Sequence, residues 1–120
     1  MKKCIYVVED NAAIRDMIEF LLIEEQYEVK TCANTGCFWQ EMKSHKPDMV
    51  ILDVMLPDGN GVEICNQLKH NSKTYQIPVI LMSAGNQLNK LKRNCDAEDY
   101  INKPFDLNDL VYRIENHLAS

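Results

Sequence analysis

The chain has 120 residues, which suits a single domain that folds around its own core without stabilising cross-links. Its 13 Lys and Arg residues against 18 Asp and Glu residues leave a net charge of −5, which argues against a nucleic-acid-binding surface because such surfaces need a basic patch. The apolar runs are too short for a membrane span, and Glu9 and Asp10 interrupt the start before a signal-peptide core forms. We therefore expect a cytoplasmic domain.

The cysteines and histidines carry no recognisable metal-binding or disulfide pattern. Five cysteines are odd in number, form no C-x-x-C pair and lie mostly in apolar segments, so we expect reduced, buried thiols. The three histidines also lack ligand spacing. The residues concerned are Cys4, Cys32, Cys37, Cys65 and Cys95, with His45, His70 and His117.

Apolar runs of strand length alternate with segments of helical period in the first half of the chain. Residues 4–8 predict a strand, and Asn11 then caps a helix. A second strand is predicted at residues 27–32, before a helix from about Thr35 to Lys46. The first helix is expected to turn inward the apolar side chains of Ile14, Met17, Ile18, Leu21 and Leu22.

The second half of the chain repeats this alternation. Strands are predicted at residues 48–53 and 77–83, and the helix between them is expected to bury Val62, Cys65 and Leu68. The remaining predictions are a weaker helix around 87–94, a short strand at 99–102, and a last helix that begins at the N-cap Asp106 and runs to His117.

Five strand and helix units with continuous apolar strands predict a doubly wound parallel sheet covered by helices on both faces, a three-layer α/β/α domain. Parallel strands joined by right-handed crossovers end at one edge of the sheet, where ligands of open α/β sheets bind. Polar side chains are expected to meet at that edge, since they follow or end four of the strands: Glu9, Asp10, Asp53, Ser83 and Lys103.

This edge would combine three carboxylates, a hydroxyl and an ammonium group. Clustered carboxylates need a compensating cation, and oxygen ligands favour Mg²⁺ over Zn²⁺. An oxygen of Asp53 beside that metal can attack phosphorus to give an aspartyl phosphate, while Ser83 and Lys103 stabilise charge. Taken singly, each residue also fits a structural role, such as a helix cap, a turn or a solvated lysine. Their joint placement favours a phosphoacceptor site.

Four segments carry a resemblance to a known family over the whole chain: VVEDN, ILDVMLPDGNG, VILMSA and DYINKPF. At these spacings the sequence resembles a receiver domain of bacterial two-component response regulators. The resemblance implies a flavodoxin-like (βα)5 fold with strand order 2-1-3-4-5.

The resemblance also implies a reaction and a metal. A sensor histidine kinase would supply the phosphoryl group from a phosphohistidine to Asp53. Mg²⁺ would be held by Asp10, Asp53 and the backbone carbonyl of Met55, with Glu9 close by or acting through water.

A switch is implied by the same resemblance. Ser83 and Lys103 would move to contact the phosphoryl group, and the aromatic ring of Tyr100 would rotate inward. The face made by the fourth helix, the fifth strand and the fifth helix would then change shape.

Charged residues near the end of the chain resemble the set that pairs two receivers in winged-helix (OmpR/PhoB-type) transcription regulators. These residues are Asp99, Asp109 and Arg113, with Lys90 or Lys92. They predict a phosphorylation-dependent homodimer, and the alternative is a solvated charged face. We expect residues 1–120 to form the receiver alone, either as a stand-alone protein or as the amino-terminal part of a transcription regulator.

Three departures from the family pattern are expected to have consequences. The segment from Ser83 to Tyr100 is about two residues short, which predicts a short or shifted fourth helix. Asp96 stands where a glycine commonly turns the chain, which predicts a strained turn. Met55 and Gly85 offer no polar side chain to orient a hydrolytic water, which predicts a long-lived phosphoryl group.

Other functions fit the sequence less well. An aspartate-nucleophile phosphatase would carry a second Asp two residues after Asp53, where this chain has Met55. A flavin electron carrier would need a hydroxyl-rich loop after the first strand, where Glu9 and Asp10 would repel a phosphate. A receiver-like interaction module that never accepts phosphate would not need the complete acidic, hydroxyl and lysine set.

Overall fold

A computed structural model of the chain describes residues 2–85 and 88–118. Within these residues the chain forms seven strands and five helices. In chain order they are β1 (Cys4–Val8), α1 (Ala12–Glu24), β2 (Glu28–Cys32), α2 (Thr35–Ser44), β3 (Met49–Asp53), β4 (Met55–Leu56), β5 (Gly59–Asn60), α3 (Gly61–Lys69), β6 (Val79–Ala84), α4 (Leu88–Asn94), β7 (Asp99–Lys103) and α5 (Leu107–Leu118).

Five of the strands form one parallel sheet in the order β2-β1-β3-β6-β7. The short strands β4 and β5 pair only with each other, as an antiparallel hairpin. With this hairpin set aside, the order is the predicted 2-1-3-4-5, and the flavodoxin-like α/β fold is confirmed.

Two hydrophobic clusters lie on opposite faces of the sheet, because successive side chains of a strand point to opposite sides. In β1, Ile5 and Val7 pack with Ile18 of α1, whereas Tyr6 and Val8 pack in the cluster that contains Phe38 of α2. Both faces of the central strands are therefore buried, which explains why β1 and β3 are continuous apolar runs.

Helix starts agree well with the predicted caps. The Asn11 side chain accepts a hydrogen bond from the backbone N–H of Ile14 at 3.0 Å, and Asp106 accepts from Asn108 at 2.7 Å. Both helices therefore begin where a side-chain oxygen can satisfy free N–H groups. The predicted start of the fourth helix, at residue 87, lies outside the described residues.

Several local predictions are wrong. Met17 is predicted to point inward but is 41% exposed. The buried residues of α1 are Ile18 and Leu22, so the buried stripe of this helix is narrower than its apolar periodicity indicates. Helix α2 ends at Ser44, two residues before the predicted Lys46. Among residues 2–85 and 88–118, the single non-glycine residue with positive φ is Gln26, at 71°. Asp96 therefore turns the chain without the predicted left-handed strain.

The prediction of reduced thiols is also contradicted. The structure joins Cys32 to Cys37 and Cys65 to Cys95 as disulfides, and leaves Cys4 as the free cysteine. Cys65 and Cys95 are 30 residues apart, and their Cα atoms come within 6.6 Å only because α3 packs beside the end of α4. No local sequence pattern predicts a pairing between cysteines so far apart in the chain.

No helix among the described residues has the length and apolar character needed to cross a bilayer. The longest, α1, has 13 residues, against the roughly 20 that a span requires.

Candidate functional site

The polar residues predicted at the sheet edge are brought together by four adjacent strands. Glu9 and Asp10 follow β1, Asp53 ends β3, Ser83 lies next to the end of β6, and Lys103 ends β7. Because all these strands are parallel, their carboxyl ends form one side of the domain.

Lys103 links two of the carboxylates. Its ammonium nitrogen lies 2.5 Å from Oε1 of Glu9 and 2.9 Å from Oδ2 of Asp53. The Glu9 residue is fully buried and Asp53 is only 6% exposed, so the ammonium group compensates charge that water barely reaches.

The pKa shifts of Glu9 and Lys103 follow from their burial and from the charges beside them. Burial raises the pKa of the Glu9 carboxyl above its usual value, although hydrogen bonds from Lys103 and from the backbone of Asn11 act to lower it. Burial alone would lower the pKa of Lys103, but its hydrogen bonds to Glu9 and Asp53, together with their charges, raise it. Lys103 is therefore held as a cation.

Three carboxylates lie close enough to share a cation. Glu9, Asp10 and Asp53 each offer an oxygen, and these oxygens all lie within 4.8 Å of one another. Asp10 is exposed, while the other two are buried, so the cluster is anchored below and open above. An all-oxygen donor set with one solvent-accessible side fits Mg²⁺, which keeps several of its waters.

A cleft of about 240 Å³ lies above this cluster. Its size and polar floor suit a phosphoryl group rather than a large organic ligand. It is lined by Asp10, Asp53, Val54, Met55, Ser83, Ala84 and Lys103.

The turn after β3 fixes the position of Asp53. The backbone N–H of Met55 donates to Oδ1 of Asp53 at 3.2 Å, and the N–H of Gly61 donates to the Val54 carbonyl at 2.9 Å. A Cβ on Gly61 would lie 2.3 Å from the Asp53 carbonyl oxygen, so only glycine allows α3 to start this close to the site. The Met55 side chain itself is 76% exposed.

Ser83 and Tyr100 occupy separate places beside the cleft. Ser83 is buried, and its hydroxyl donates to the Ala84 carbonyl at 3.2 Å rather than to the carboxylate cluster. Tyr100, in β7, is half-buried, and its hydroxyl donates to the carbonyl of Cys95. The ring also lies 5.9 Å from the ammonium group of Lys92.

Arg15 supports the acidic loop and was not foreseen from the sequence. Its guanidinium donates to the carbonyl of Glu9 at 2.9 Å and reaches the carbonyl of Asp10 at 3.5 Å. The signal available in the sequence is its position in the first turns of α1, five residues after Asp10.

The charged residues near the last helix form a network within one chain. Arg113 contacts Asp99 at 2.6 Å and Asp109 at 3.0 Å, and donates to the Tyr100 carbonyl at 3.2 Å. His117 lies 3.2 Å from the second oxygen of Asp99. The network ties α5 to β7.

The family of the chain is decided by comparison with known proteins. The model of the family described as "Response regulator receiver domain" matches residues 5–115. The chain belongs to this family. Receiver domains are parts of regulatory proteins, which agrees with the predicted regulatory role.

Relatives of this receiver domain include transcription regulators. It is 38% identical over 115 residues to the phosphate regulon transcriptional regulatory protein PhoB of Pseudomonas aeruginosa, covering 94% of the present chain and 50% of that protein. The receiver domain thus spans about half the length of the curated relatives it matches.

Solved structures share the fold of the domain. A CheY-like response regulator receiver domain protein from Methanospirillum hungatei superposes with a TM-score of 0.89 at 26% identity, covering 99% of this chain and 95% of the other. The receiver domain of a sensor histidine kinase from Pseudomonas aeruginosa superposes with a TM-score of 0.87 at 24% identity, covering 100% of both chains, and holds a magnesium ion in its active-site cleft.

Proposed function

We propose that this receiver domain accepts a phosphoryl group on Asp53 from a phosphohistidine of a sensor histidine kinase, and that it acts in the cytoplasm. The observation that carries the proposal is the cluster of three carboxylates within 4.8 Å, with Lys103 bound to Asp53 at 2.9 Å. This arrangement supplies a nucleophile, a cation site and a fixed positive charge in one cleft.

In the proposed reaction, an oxygen of Asp53 forms a bond to phosphorus as the bond from phosphorus to the histidine nitrogen breaks. The electron pair of the broken bond stays on the imidazole, which takes up a proton. The product is an acyl phosphate on Asp53, and the chain promotes its own modification by positioning these groups.

Glu9, Asp10, Asp53 and the Met55 backbone carbonyl would hold Mg²⁺. When bound, the metal neutralises charge on the phosphoryl oxygens. Lys103 contacts two of these carboxylates, which supports the proposal that it contacts a phosphoryl oxygen once Asp53 is modified. Ser83 lines the same cleft and can turn its hydroxyl toward that group.

The signal would leave the site through Ser83 and Tyr100. A phosphoryl group adds roughly two negative charges and three acceptor oxygens. Movement of Ser83 toward the phosphoryl group opens space beside β6 for the Tyr100 ring. As the ring turns inward, its hydroxyl loses its hydrogen bond to the Cys95 carbonyl. The face formed by α4, β7 and α5 changes as a result.

The curated relatives suggest where the signal goes. Since the chain spans about half of transcription regulators such as PhoB, we infer that the receiver controls a DNA-binding output domain. Phosphorylation would favour a homodimer through α4, β7 and α5, using Asp99, Asp109 and Arg113. In the structure Arg113 bonds both aspartates within one chain, so dimerisation would require these partners to rearrange.

The decisive experiment is incubation with phosphoramidate and Mg²⁺, followed by intact mass measurement. We expect a gain of one phosphoryl group, no gain after removal of Mg²⁺ by EDTA, and no gain in Asp53→Asn. Asp48→Asn is the matched control, because Asp48 lies just before β3, at the opposite end of the strand from the cleft. This variant should still gain the phosphoryl group. Modification of Asp53→Asn at the native rate would reject Asp53 as the acceptor.

A further inference from the structure

The disulfide between Cys65 and Cys95 joins α3 to the residue that follows α4. Both residues belong to the hydrophobic cluster that α3 forms with the sheet, and Tyr100 packs against that cluster. Two other contacts run alongside the disulfide: the Asn66 amide donates to the Asn94 carbonyl at 3.1 Å, and Lys69 meets Glu98 at 2.7 Å. Of these three links, only the disulfide is covalent and removable by a reductant.

The second disulfide makes a contrasting case. Cys32 and Cys37 are five residues apart and close only the turn between β2 and α2. The Asn34 side chain already fixes that turn, because it accepts a hydrogen bond from the backbone N–H of Cys37 at 2.8 Å. A bond across so short a loop restrains little that is not already restrained, whereas the 30-residue separation of Cys65 and Cys95 links two distinct helices.

Cys95 is the point at which α4 and Tyr100 meet. Its backbone N–H donates to the Leu91 carbonyl at 3.0 Å, which continues the hydrogen bonding of α4. Its carbonyl accepts the hydroxyl of Tyr100. A bond from Cys95 to α3 therefore fixes both the end of α4 and the acceptor that the Tyr100 hydroxyl uses.

We propose that Cys65 and Cys95 form a reversible thiol–disulfide site that limits how far phosphorylation of Asp53 changes α4 and Tyr100. The proposal rests on the proposed phosphoacceptor function. The bond forms in a conformation in which Lys103 still contacts unmodified Asp53. It therefore favours that conformation over any other in which Cys95 moves away from α3.

The chemistry needs a low-molecular-weight disulfide such as oxidised glutathione. One protein thiolate attacks the glutathione disulfide, which forms a protein–glutathione mixed disulfide and releases one glutathione thiolate. The second protein thiolate then attacks the protein sulfur of the mixed disulfide and releases the second glutathione thiolate. Two protein thiols lose two protons and two electrons, and the glutathione disulfide becomes two thiols. Cys65 is fully buried and Cys95 is 4% exposed, so Cys95 is the residue of the pair that lies nearer to solvent.

The first test compares the two disulfides within one molecule. The native chain is oxidised with glutathione disulfide, its bonds are assigned by peptide mass mapping, and dithiothreitol is added with or without Mg²⁺ and beryllofluoride, a phosphoryl mimic. Because the proposal has beryllofluoride favour conformations in which Cys95 moves away from α3 and the bond is more open to reagent, we expect beryllofluoride to speed reduction of the Cys65–Cys95 bond several-fold and to leave reduction of the Cys32–Cys37 bond unchanged. Equal rates with and without beryllofluoride, or no Cys65–Cys95 bond after oxidation, would overturn the proposal.

The second test measures the switch directly. NMR shifts of Tyr100 and Leu91 are followed on addition of beryllofluoride to oxidised and reduced protein, and we expect the response to be several-fold smaller when oxidised. The double variant Cys32→Ala/Cys37→Ala should keep this difference, and Cys95→Ala should lose it. The same response in both redox states rejects the redox site.

Phosphoramidate separates the two proposals. A phosphoryl gain in both redox states, combined with equal responses, leaves the acceptor function standing and rejects only the redox site. No phosphoryl gain in either state rejects the acceptor function and the redox site with it.

Discussion

The Lys103 ammonium group lies 2.9 Å from the Asp53 carboxylate and 2.5 Å from Glu9, although these residues come from β7, β3 and the end of β1. It is the protein's own counterion for a buried acidic pair. Removing one partner of such a pair leaves uncompensated charge away from water, which is more costly than losing a surface ion pair.

Lys103→Met should therefore lower the free energy of unfolding by about 3 kcal/mol in the absence of Mg²⁺. Mg²⁺ should then stabilise the variant more than the native chain, because the carboxylates have lost their resident cation. Urea denaturation with and without Mg²⁺ measures both effects. Lys73→Met, at an exposed loop position, is the control. Equal stabilisation of variant and native chain by Mg²⁺ would contradict the proposed cation site.

Gly61 is expected to tolerate no side chain. A Cβ there would meet the Asp53 carbonyl oxygen at 2.3 Å, so Gly61→Ala should cost roughly 1–3 kcal/mol of stability and slow phosphorylation by displacing Asp53. Gly36→Ala, in α2, is the matched control, since the nearest atom to its Cβ would be the Asn34 side-chain oxygen at 3.4 Å and alanine favours helix. Thermal unfolding and phosphoramidate labelling report the two effects; labelling of Gly61→Ala at the native rate would show that Asp53 had not moved.

The phosphoryl group is expected to persist for hours. Met55 is exposed and apolar, and Gly85 has no side chain, so neither supplies a polar group to orient an attacking water. Met55→Asn should shorten the lifetime by about tenfold by positioning that water. Release of radiolabel from purified protein gives the rates, and Met17→Asn, on α1, controls for the substitution itself. Loss of label from the native chain within seconds would refute the prediction.

The Asp58 carboxylate stabilises the start of α2 in a pH-dependent way. It accepts hydrogen bonds from the backbone N–H groups of Thr35 at 2.8 Å and Gly36 at 3.1 Å, which hold the pKa of Asp58 below its usual 3.8. Because the pKa is lower in the folded chain than the 3.8 of the unfolded chain, this stabilisation is fully present above pH 3.8. It is lost as the pH falls through the pKa of Asp58 in the folded chain.

Asp58→Asn should accordingly destabilise the chain near neutral pH, and its difference from the native chain should shrink as the solution is acidified. Urea denaturation over a series of pH values measures this. Asp16→Asn, at an exposed position of α1, should show no such trend. A stability difference between Asp58→Asn and the native chain that grows toward acid pH would contradict a lowered pKa for Asp58 in the folded state.

Arg113 is expected to matter more for dimerisation than for folding. Its partly exposed ion pairs with Asp99 and Asp109 should contribute no more than about 1 kcal/mol, so Arg113→Ala should remain folded and accept phosphate. Analytical ultracentrifugation with beryllofluoride should show a dimer for the native chain and for Lys43→Ala, on α2, but not for Arg113→Ala. A native chain that stays monomeric would reject the dimer.

Much of the fold and site was predictable because buried parallel strands have a simple signature. The continuous apolar run of β3 stops at Asp53, and the parallel arrangement then fixes which polar residues share its edge. Tertiary packing determined the rest. The periodicity of α1 does not reveal that the sheet covers too narrow a stripe to bury Met17. The Cys65–Cys95 pair and the Tyr100 contact with Cys95 depend on how the end of α4 meets α3, which no local pattern encodes.

The site draws Glu9, Asp53, Ser83 and Lys103 from the carboxyl ends of four strands, and Lys103 comes 94 residues after Glu9. A nascent chain emerging from the ribosome has its nucleophile long before its lysine. Only when β7 has docked as the final edge of the sheet is the constellation whole. We therefore expect the ability to take up phosphate to report that the receiver has been synthesised and folded through β7, and a chain cut short before Lys103 to remain unphosphorylated.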